Sequence, residues 1–168
     1  MKKREKKMRI IILNGPMGVG KTTVGKAIAN KYPGTAFIDG DWCLDIHPFI
    51  GNKETKTMAI DNIHHLIKNY TTCSECKQIV LVWLMDEQWV RESLISGIRD
   101  MGVDMIEINL WCDSKELEKR WTNDSICEWR TDEWLAVSKK SLPYFKKQGK
   151  LLDTNGLNIE NIVDMIME

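Results

Sequence analysis

Gly15-Pro16-Met17-Gly18-Val19-Gly20-Lys21-Thr22 fits the spacing G-x-x-x-x-G-K-[ST] at every fixed position. Glycines let a backbone curl until successive N–H groups converge on one point, an anion nest. A helix that begins at Lys21 adds the positive end of its dipole. Lys21 then carries a full charge to the β- and γ-phosphate oxygens of a nucleotide, and Thr22 offers a hydroxyl to the Mg²⁺ that bridges them. A glycine-rich strand–helix turn that binds nothing has a similar composition. The apolar run Ile10 to Leu13 before the motif and the helix-compatible segment Lys21 to Lys31 after it favour phosphate binding. Gly15 to Thr23 is thus the expected site for ATP with Mg²⁺.

Two further groups of acids follow apolar runs. Phe37-Ile38-Asp39-Gly40-Asp41 ends one run with carboxylates one residue apart, which strand alternation would point to the same side. Asp39 suits the metal side and Asp41 suits contact with a phosphoryl acceptor, as the group that orients or deprotonates its hydroxyl. A polar turn with a capping Asp is the plainer alternative. Asp86, with Glu87, follows Gln78 to Met85, the rough shape of a Walker B element whose acid binds Mg²⁺. A helix N-cap explains Asp86 equally well.

These residues need a scaffold, and the pattern of the chain supplies one. Short apolar runs at Ile10 to Asn14, Thr35 to Ile38, Gln78 to Met85, Met105 to Trp111 and Lys150 to Asp153 read as strands. Helix-like stretches separate them. Ile63, Leu66, Ile67 and Tyr70 share one face of a helix over Glu54 to Tyr70. Val90, Leu94, Ile98 and Met101 form the inner stripe of a second, capped by Gly102. Leu117 and Trp121 share a face after a cap at Asp113 or Ser114. Asp132 to Lys147 is helical despite Pro143, and Asn158 to Met167 closes the chain with Ile159, Ile162, Val163 and Ile166 inward. Strands alternating with helices imply an α/β fold, a mostly parallel sheet with helices on both faces and ligands at the C-terminal ends of its strands.

The 168 residues suit one domain, expected over residues 9–168, after a solvated and disordered basic tail at residues 1–8. Lys2, Lys3, Arg4, Lys6, Lys7 and Arg9 face only Glu5, so the rest of the chain carries the compensating negative charge. The net charge of zero argues against a nucleic acid polymer as partner. No apolar run approaches the roughly 20 residues of a membrane-spanning helix, and the apolar stretch after the basic start is too short for a signal peptide. Five cysteines, an odd number, suit reduced thiols in the cytoplasm. Cys73 and Cys76 have zinc-like spacing but no second pair nearby, and read as two loop thiols. His64 and His65 read as exposed helix residues. His47 lies near the expected acceptor. Trp83 and Trp111 read as core residues in strands, Trp42 as a candidate wall of the acceptor pocket. Trp121, Trp129 and Trp134 cluster around the segment Thr122 to Thr131.

With the motifs Gly15 to Thr23 and Phe37 to Asp41, the chain from Arg9 to Glu168 resembles the P-loop small-molecule kinases of the nucleoside-monophosphate-kinase-like group. That group includes adenylate, shikimate and gluconate kinases and chloramphenicol phosphotransferase. Asp39-Gly40-Asp41, His47-Pro48 and Asn52 echo the gluconate-kinase pattern with different spacing. The resemblance implies a three-layer α/β/α P-loop fold with a five-stranded parallel sheet of order 2-3-1-4-5. It also implies a lid between strands 4 and 5, at about residues 122–140, whose arginines close over the phosphates. Arg120 and Arg130 stand where such arginines are expected. In the helix after the lid, where many relatives have arginines, this chain has Lys139 and Lys140, with Val137 and Ser141 nearby.

The expected activity is ATP-dependent transfer of the γ-phosphoryl group to a small molecule, by a monomer or homodimer. Lys21, Asp41, Arg120 and Arg130 are the catalytic candidates, and Thr22, Asp39 and Asp86 the candidates for the metal. A hydroxyl acceptor suits the Asp39/Asp41 pair better than a nucleotide monophosphate does, because Trp42 to Lys53 offers Lys53 as its one lysine or arginine. Two alternatives stay open: a nucleoside monophosphate kinase, and an ATP-binding module without kinase chemistry.

Overall fold

The computed structural model describes residues 8–124, 127, 128 and 130–168. The basic start, apart from Met8, and Trp129 lie outside the described residues. Met8 packs against the core.

The first apolar run forms β1 (Arg9–Asn14), and all but its first residue are buried. It is the centre of a five-stranded sheet with β2 (Thr35–Asp39), β3 (Gln78–Val82), β4 (Asp104–Trp111) and β5 (Lys150–Asp153). The order is β2-β3-β1-β4-β5 and every pairing is parallel. Parallel strands need crossovers, and helices supply them on both faces. One core layer takes Ile10 and Ile12 of β1 against α2 (Lys53–Thr72) and α3 (Gln88–Asp100); the other takes Ile11 and Leu13 against α1 (Lys21–Lys31), α4 (Ser114–Asn123), α5 (Asp132–Lys146) and α6 (Ile159–Met167). Alternate residues of one strand thus anchor opposite layers.

The helix starts follow from local chemistry. Asn52 accepts the amide of Thr55 while the Thr55 hydroxyl accepts the amide of Asn52, a reciprocal cap that fixes where α2 begins. Asp113 caps α4 through the amides of Lys115 and Glu116. Thr131 caps α5 and Asn158 caps α6. α1 differs: its N-cap is Gly20, at φ 106°, with no side-chain cap and no acid in the first turn.

Several expectations are refined. β3 ends at Val82, so Trp83 is a buried core residue just beyond the strand. The apolar stretch continues to Met85 because Trp83 and Met85 are buried beyond the end of the strand. Leu66 and Ile159 are exposed; Ala59 and Ile60 take the inward positions on α2. His64 is half-buried, its Nε2 3.0 Å from the Leu94 carbonyl, in the space left by Gly97 of α3. Of the expected lid span, Thr122 and Asn123 end α4 and Asp132 to Lys140 begin α5.

Ile63 is fully buried between α2 and the sheet. Ile63→Ala is expected to lower the unfolding free energy by about 2–5 kcal/mol, read from the urea midpoint at unchanged slope.

Candidate active site

The motif loop joins β1 to α1 at the C-terminal edge of the sheet, and its geometry follows from what its carbonyls and glycines can do. Gly15, Gly18 and Gly20 have φ values of 145°, 81° and 106°. A Cβ on Gly15 would lie 2.5 Å from the Leu110 carbonyl oxygen, and one on Gly18 would lie 2.8 Å from the Trp121 ring. Around Gly20 there is open space. The loop's carbonyls are tied outward. Lys21 Nζ donates to those of Gly15 (2.8 Å) and Pro16 (2.9 Å). Ser138 Oγ donates to that of Met17 (2.7 Å), and Arg120 Nη1 to that of Val19 (2.9 Å). The first helical bond of α1 runs from Val24 N to Gly20 O. The amides of Lys21, Thr22 and Thr23 therefore have no partner within the helix.

Asn14, the last residue of β1, is buried. Its Oδ1 accepts the amides of Gly15 (2.8 Å) and Met85 (2.9 Å), and its Nδ2 donates to the Met85 carbonyl (3.2 Å). One side chain thus fixes the start of the loop to the turn after β3. The sequence signal was a polar residue ending an otherwise apolar strand. Ser138 has a similar signal, a serine among the inward positions of α5.

The acids come together around Lys21. Asp39, Asp41 and Asp86 all bear on its ammonium, as does the opposing charge of Arg130. Burial dominates and brings the Lys21 pKa down to about 8. Asp39 is buried at the end of β2, and burial raises its pKa. Its Oδ1 accepts the Asp41 amide (3.0 Å) and its Oδ2 lies 3.5 Å from the Thr22 hydroxyl. Asp41 does not continue the strand alternation: it has φ −67° and ψ −33° and leads into a 3₁₀ turn, Trp42–Leu44. The tight turn is set by Gly40, whose missing side chain admits the Trp83 ring. Asp86 is not the cap of α3; Glu87 holds that position.

Arg120 has partners other than those expected of a lid arginine. Besides Val19 it bonds Glu116 Oε1 (2.9 Å), Thr154 Oγ1 (2.9 Å) and the Thr154 carbonyl (2.7 Å), so it fastens the loop to the end of β5. Arg130 Nη1 pairs with Asp124 at 2.7 Å, and its guanidinium lies 5.2 Å from the Trp121 ring, the same ring that covers Gly18. Trp42 is exposed and packs edge-on to Phe37 with Lys26 over its ring. His47 is exposed and paired with Asp45 (2.9 Å).

Among the described residues no group of three or more His, Cys, Asp or Glu is arranged to hold a metal ion. The donor set, one hydroxyl beside one carboxylate, instead fits a Mg²⁺ that takes its other ligands from water and phosphate.

A phosphate group entering this loop would favour the charged form of Lys21. Nucleotide affinity is therefore expected to fall as pH rises through about 8, since binding must then take up a proton. Calorimetric titration of ADP between pH about 7 and about 9.5, in buffers of different ionisation enthalpy, checks the slope and the proton uptake; Lys21→Arg should flatten both.

Comparison with known proteins bears on the family and the fold. Residues 11–133 match the AAA domain family AAA_18. A shikimate kinase of Psychrobacter cryohalolentis is 35% identical over 65 residues, which is 32% of this chain and 34% of that protein; the match thus spans about a third of the curated relative. The tunicamycin resistance protein of Deinococcus radiodurans superposes with TM-score 0.72 at 17% identity, over 95% of this chain and 93% of its own. A gluconokinase from Sinorhizobium meliloti 1021 gives 0.67 at 17% identity, over 97% and 91%. The sheet order β2-β3-β1-β4-β5 and these neighbours establish the fold of the P-loop kinases, and the chain belongs to the AAA domain family AAA_18.

Proposed function

We propose that the chain is an ATP-dependent phosphotransferase that moves the γ-phosphoryl group to a hydroxyl of a small molecule. The observation that carries this reading is the uncapped helix start at Gly20, with Lys21 Nζ folded onto the Gly15 and Pro16 carbonyls and Asp39 placed between the Thr22 hydroxyl and the Asp41 amide. A module that only binds nucleotide needs the curled loop. Transfer also needs an acid on the acceptor side, and Asp41 stands there on an exposed turn.

In this reading the nucleotide lies on Gly15 to Thr23, where the amides of Gly18, Gly20, Lys21 and Thr22 and the Lys21 ammonium hold the phosphates. Magnesium, when bound beside Thr22 and Asp39, supplies positive charge to the phosphoryl oxygens, with Asp86 in its outer surroundings. Asp41 accepts the proton of the acceptor hydroxyl as that oxygen forms its bond to the γ-phosphorus. The bond from the γ-phosphorus to the β,γ-bridging oxygen breaks, and ADP leaves with the electron pair. Lys21 and Arg130 meet the charge that spreads over the transferring group. Arg120 acts as a positioning residue, through the Val19 carbonyl. Closing the segment that carries Arg130 excludes water, which would otherwise compete as acceptor.

Location in the cytoplasm is part of the same proposal. Its supports are the free thiols and the lack, among the described residues, of a helix long and apolar enough to cross a membrane.

Mg²⁺-ATP consumption in the presence of a hydroxyl-compound library tests the reading. Asp41→Asn is expected to lower kcat by about 10²–10⁴ at unchanged nucleotide affinity, as loss of a general base should. ATP hydrolysis that is indifferent to every acceptor and to Asp41→Asn would favour the binding module.

A further inference from the structure

A serine or threonine inside a helix has a ready partner, the carbonyl three or four residues back on its own helix. Thr57, Thr71, Thr72, Thr122 and Ser141 all donate in that way. Ser138 does not. Its Oγ leaves α5 and donates to the Met17 carbonyl, 2.7 Å away and 121 positions earlier in the chain.

Ser138 is fully buried, on the inward stripe of α5 with the apolar Leu142 and Phe145. Alanine would fit that position as a better helix former with no hydroxyl to desolvate. Nor is the hydroxyl what seats the helix. Phe145 is fully buried, and Trp111 Nε1 at the end of β4 donates to the Leu142 carbonyl (3.2 Å). The bond from Ser138 therefore acts on the loop.

Its effect follows from peptide planarity. The Met17 carbonyl and the Gly18 N–H belong to one trans unit and point in opposite directions. Holding the carbonyl toward α5 turns the Gly18 N–H away from α5. Two residues on, Arg120 holds the Val19 carbonyl (2.9 Å) and turns the Gly20 N–H in the same manner. The amides of Gly18 and Gly20 have no hydrogen-bond partner among the described residues, whereas the Val19 amide between them is bonded to the Pro16 carbonyl (3.4 Å). Glycine at position 18, with φ 81°, leaves the Met17–Gly18 plane free to rotate, so an outside bond is needed to fix it.

We propose that Ser138 is a positioning residue for phosphate binding: from α5, its hydroxyl fixes the Met17–Gly18 peptide so that the Gly18 N–H is already aimed at the nucleotide's phosphates before they arrive. Without that bond the peptide must be ordered at the moment of binding, which weakens affinity. This rests on the nucleotide site of the phosphotransferase reading and is independent of the acceptor.

Titration of the full, isotope-labelled chain with Mg²⁺-ADP tests it, followed by amide spectra and by calorimetry. Ser138→Ala is expected to raise Kd about tenfold and to cut the downfield shift of the Gly18 N–H at saturation by about half, while Gly20 keeps its shift. Ser141→Ala removes a hydroxyl whose bond stays within α5, and it should leave Kd within about twofold. Ser138→Cys fills the position with a weaker donor and should raise Kd about threefold, with the same one-sided loss at Gly18. A wild-type Kd and Gly18 shift in Ser138→Ala overturns the proposal, as does the same result in Ser138→Cys should the alanine variant not fold. Equal losses at Gly18 and Gly20 also overturn it, since they would make Ser138 a general support of the loop, and so does a tenfold effect of about the same kind from Ser141→Ala. Unmodified protein in which Mg²⁺-ADP moves no loop amide refutes the nucleotide site and the proposal with it; an intact response in the unmodified protein beside an indifferent Ser138→Ala refutes the proposal alone.

Discussion

A peptide unit cannot turn its N–H inward without turning its carbonyl outward, and that constraint organises this molecule. In the loop from Gly15 to Gly20 the amides of Gly15 and Val19 are bonded to Asn14 Oδ1 and the Pro16 carbonyl, and the carbonyls of Gly15, Pro16, Met17 and Val19 have side-chain partners. Lys21 takes two of them, Ser138 of α5 a third and Arg120 of α4 a fourth. Two elements distant in sequence, α4 and α5, thereby join the adjacent α1 in holding one short curl. The positive φ values of Gly15, Gly18 and Gly20 relieve the backbone strain that the curl would otherwise carry. Asn14 then locks the base of the curl to the turn after β3, so the loop and the acid-bearing turn behind it form one unit.

Electrostatics add a second layer. A lysine folded back onto carbonyls is shielded from water, which favours its neutral form; three nearby carboxylates oppose that trend, and the pKa settles at about 8. The ammonium is thus responsive to a change in its surroundings. Phosphate oxygens restore what desolvation removed, and the arrangement favours an anion at this position over an empty pocket.

Much of this was legible in the residues. The curled loop is a contiguous motif, and contiguous motifs survive in sequence. The five strands, the span of α1 and the cap at Asp113 followed from local chemistry, since each depends on neighbours within a few positions. What escaped depended on partners far along the chain. Arg120 looked like a phosphate clamp, yet its donors go to Val19 and Thr154, which no spacing rule connects. Asp39 and Asp41 are joined by the bond from the Asp41 amide to Asp39 Oδ1, through a 3₁₀ turn admitted by Gly40 against Trp83 and not through strand alternation. His64 seemed exposed because the glycine that makes room for it sits on another helix. Asn14 and Ser138 were visible as polar residues in apolar surroundings, but their roles appear only when the loop carbonyls and amides are traced.

The central claim is that the curl grips phosphate through its own amides. The most direct measurement is the amide spectrum of isotope-labelled protein titrated with Mg²⁺-ADP. Hydrogen bonds to phosphate should move the N–H resonances of Gly18, Gly20, Lys21 and Thr22 downfield together, saturating with the same affinity, while amides at the opposite end of the sheet stay in place. Nucleotide that binds without moving those four resonances would contradict the account.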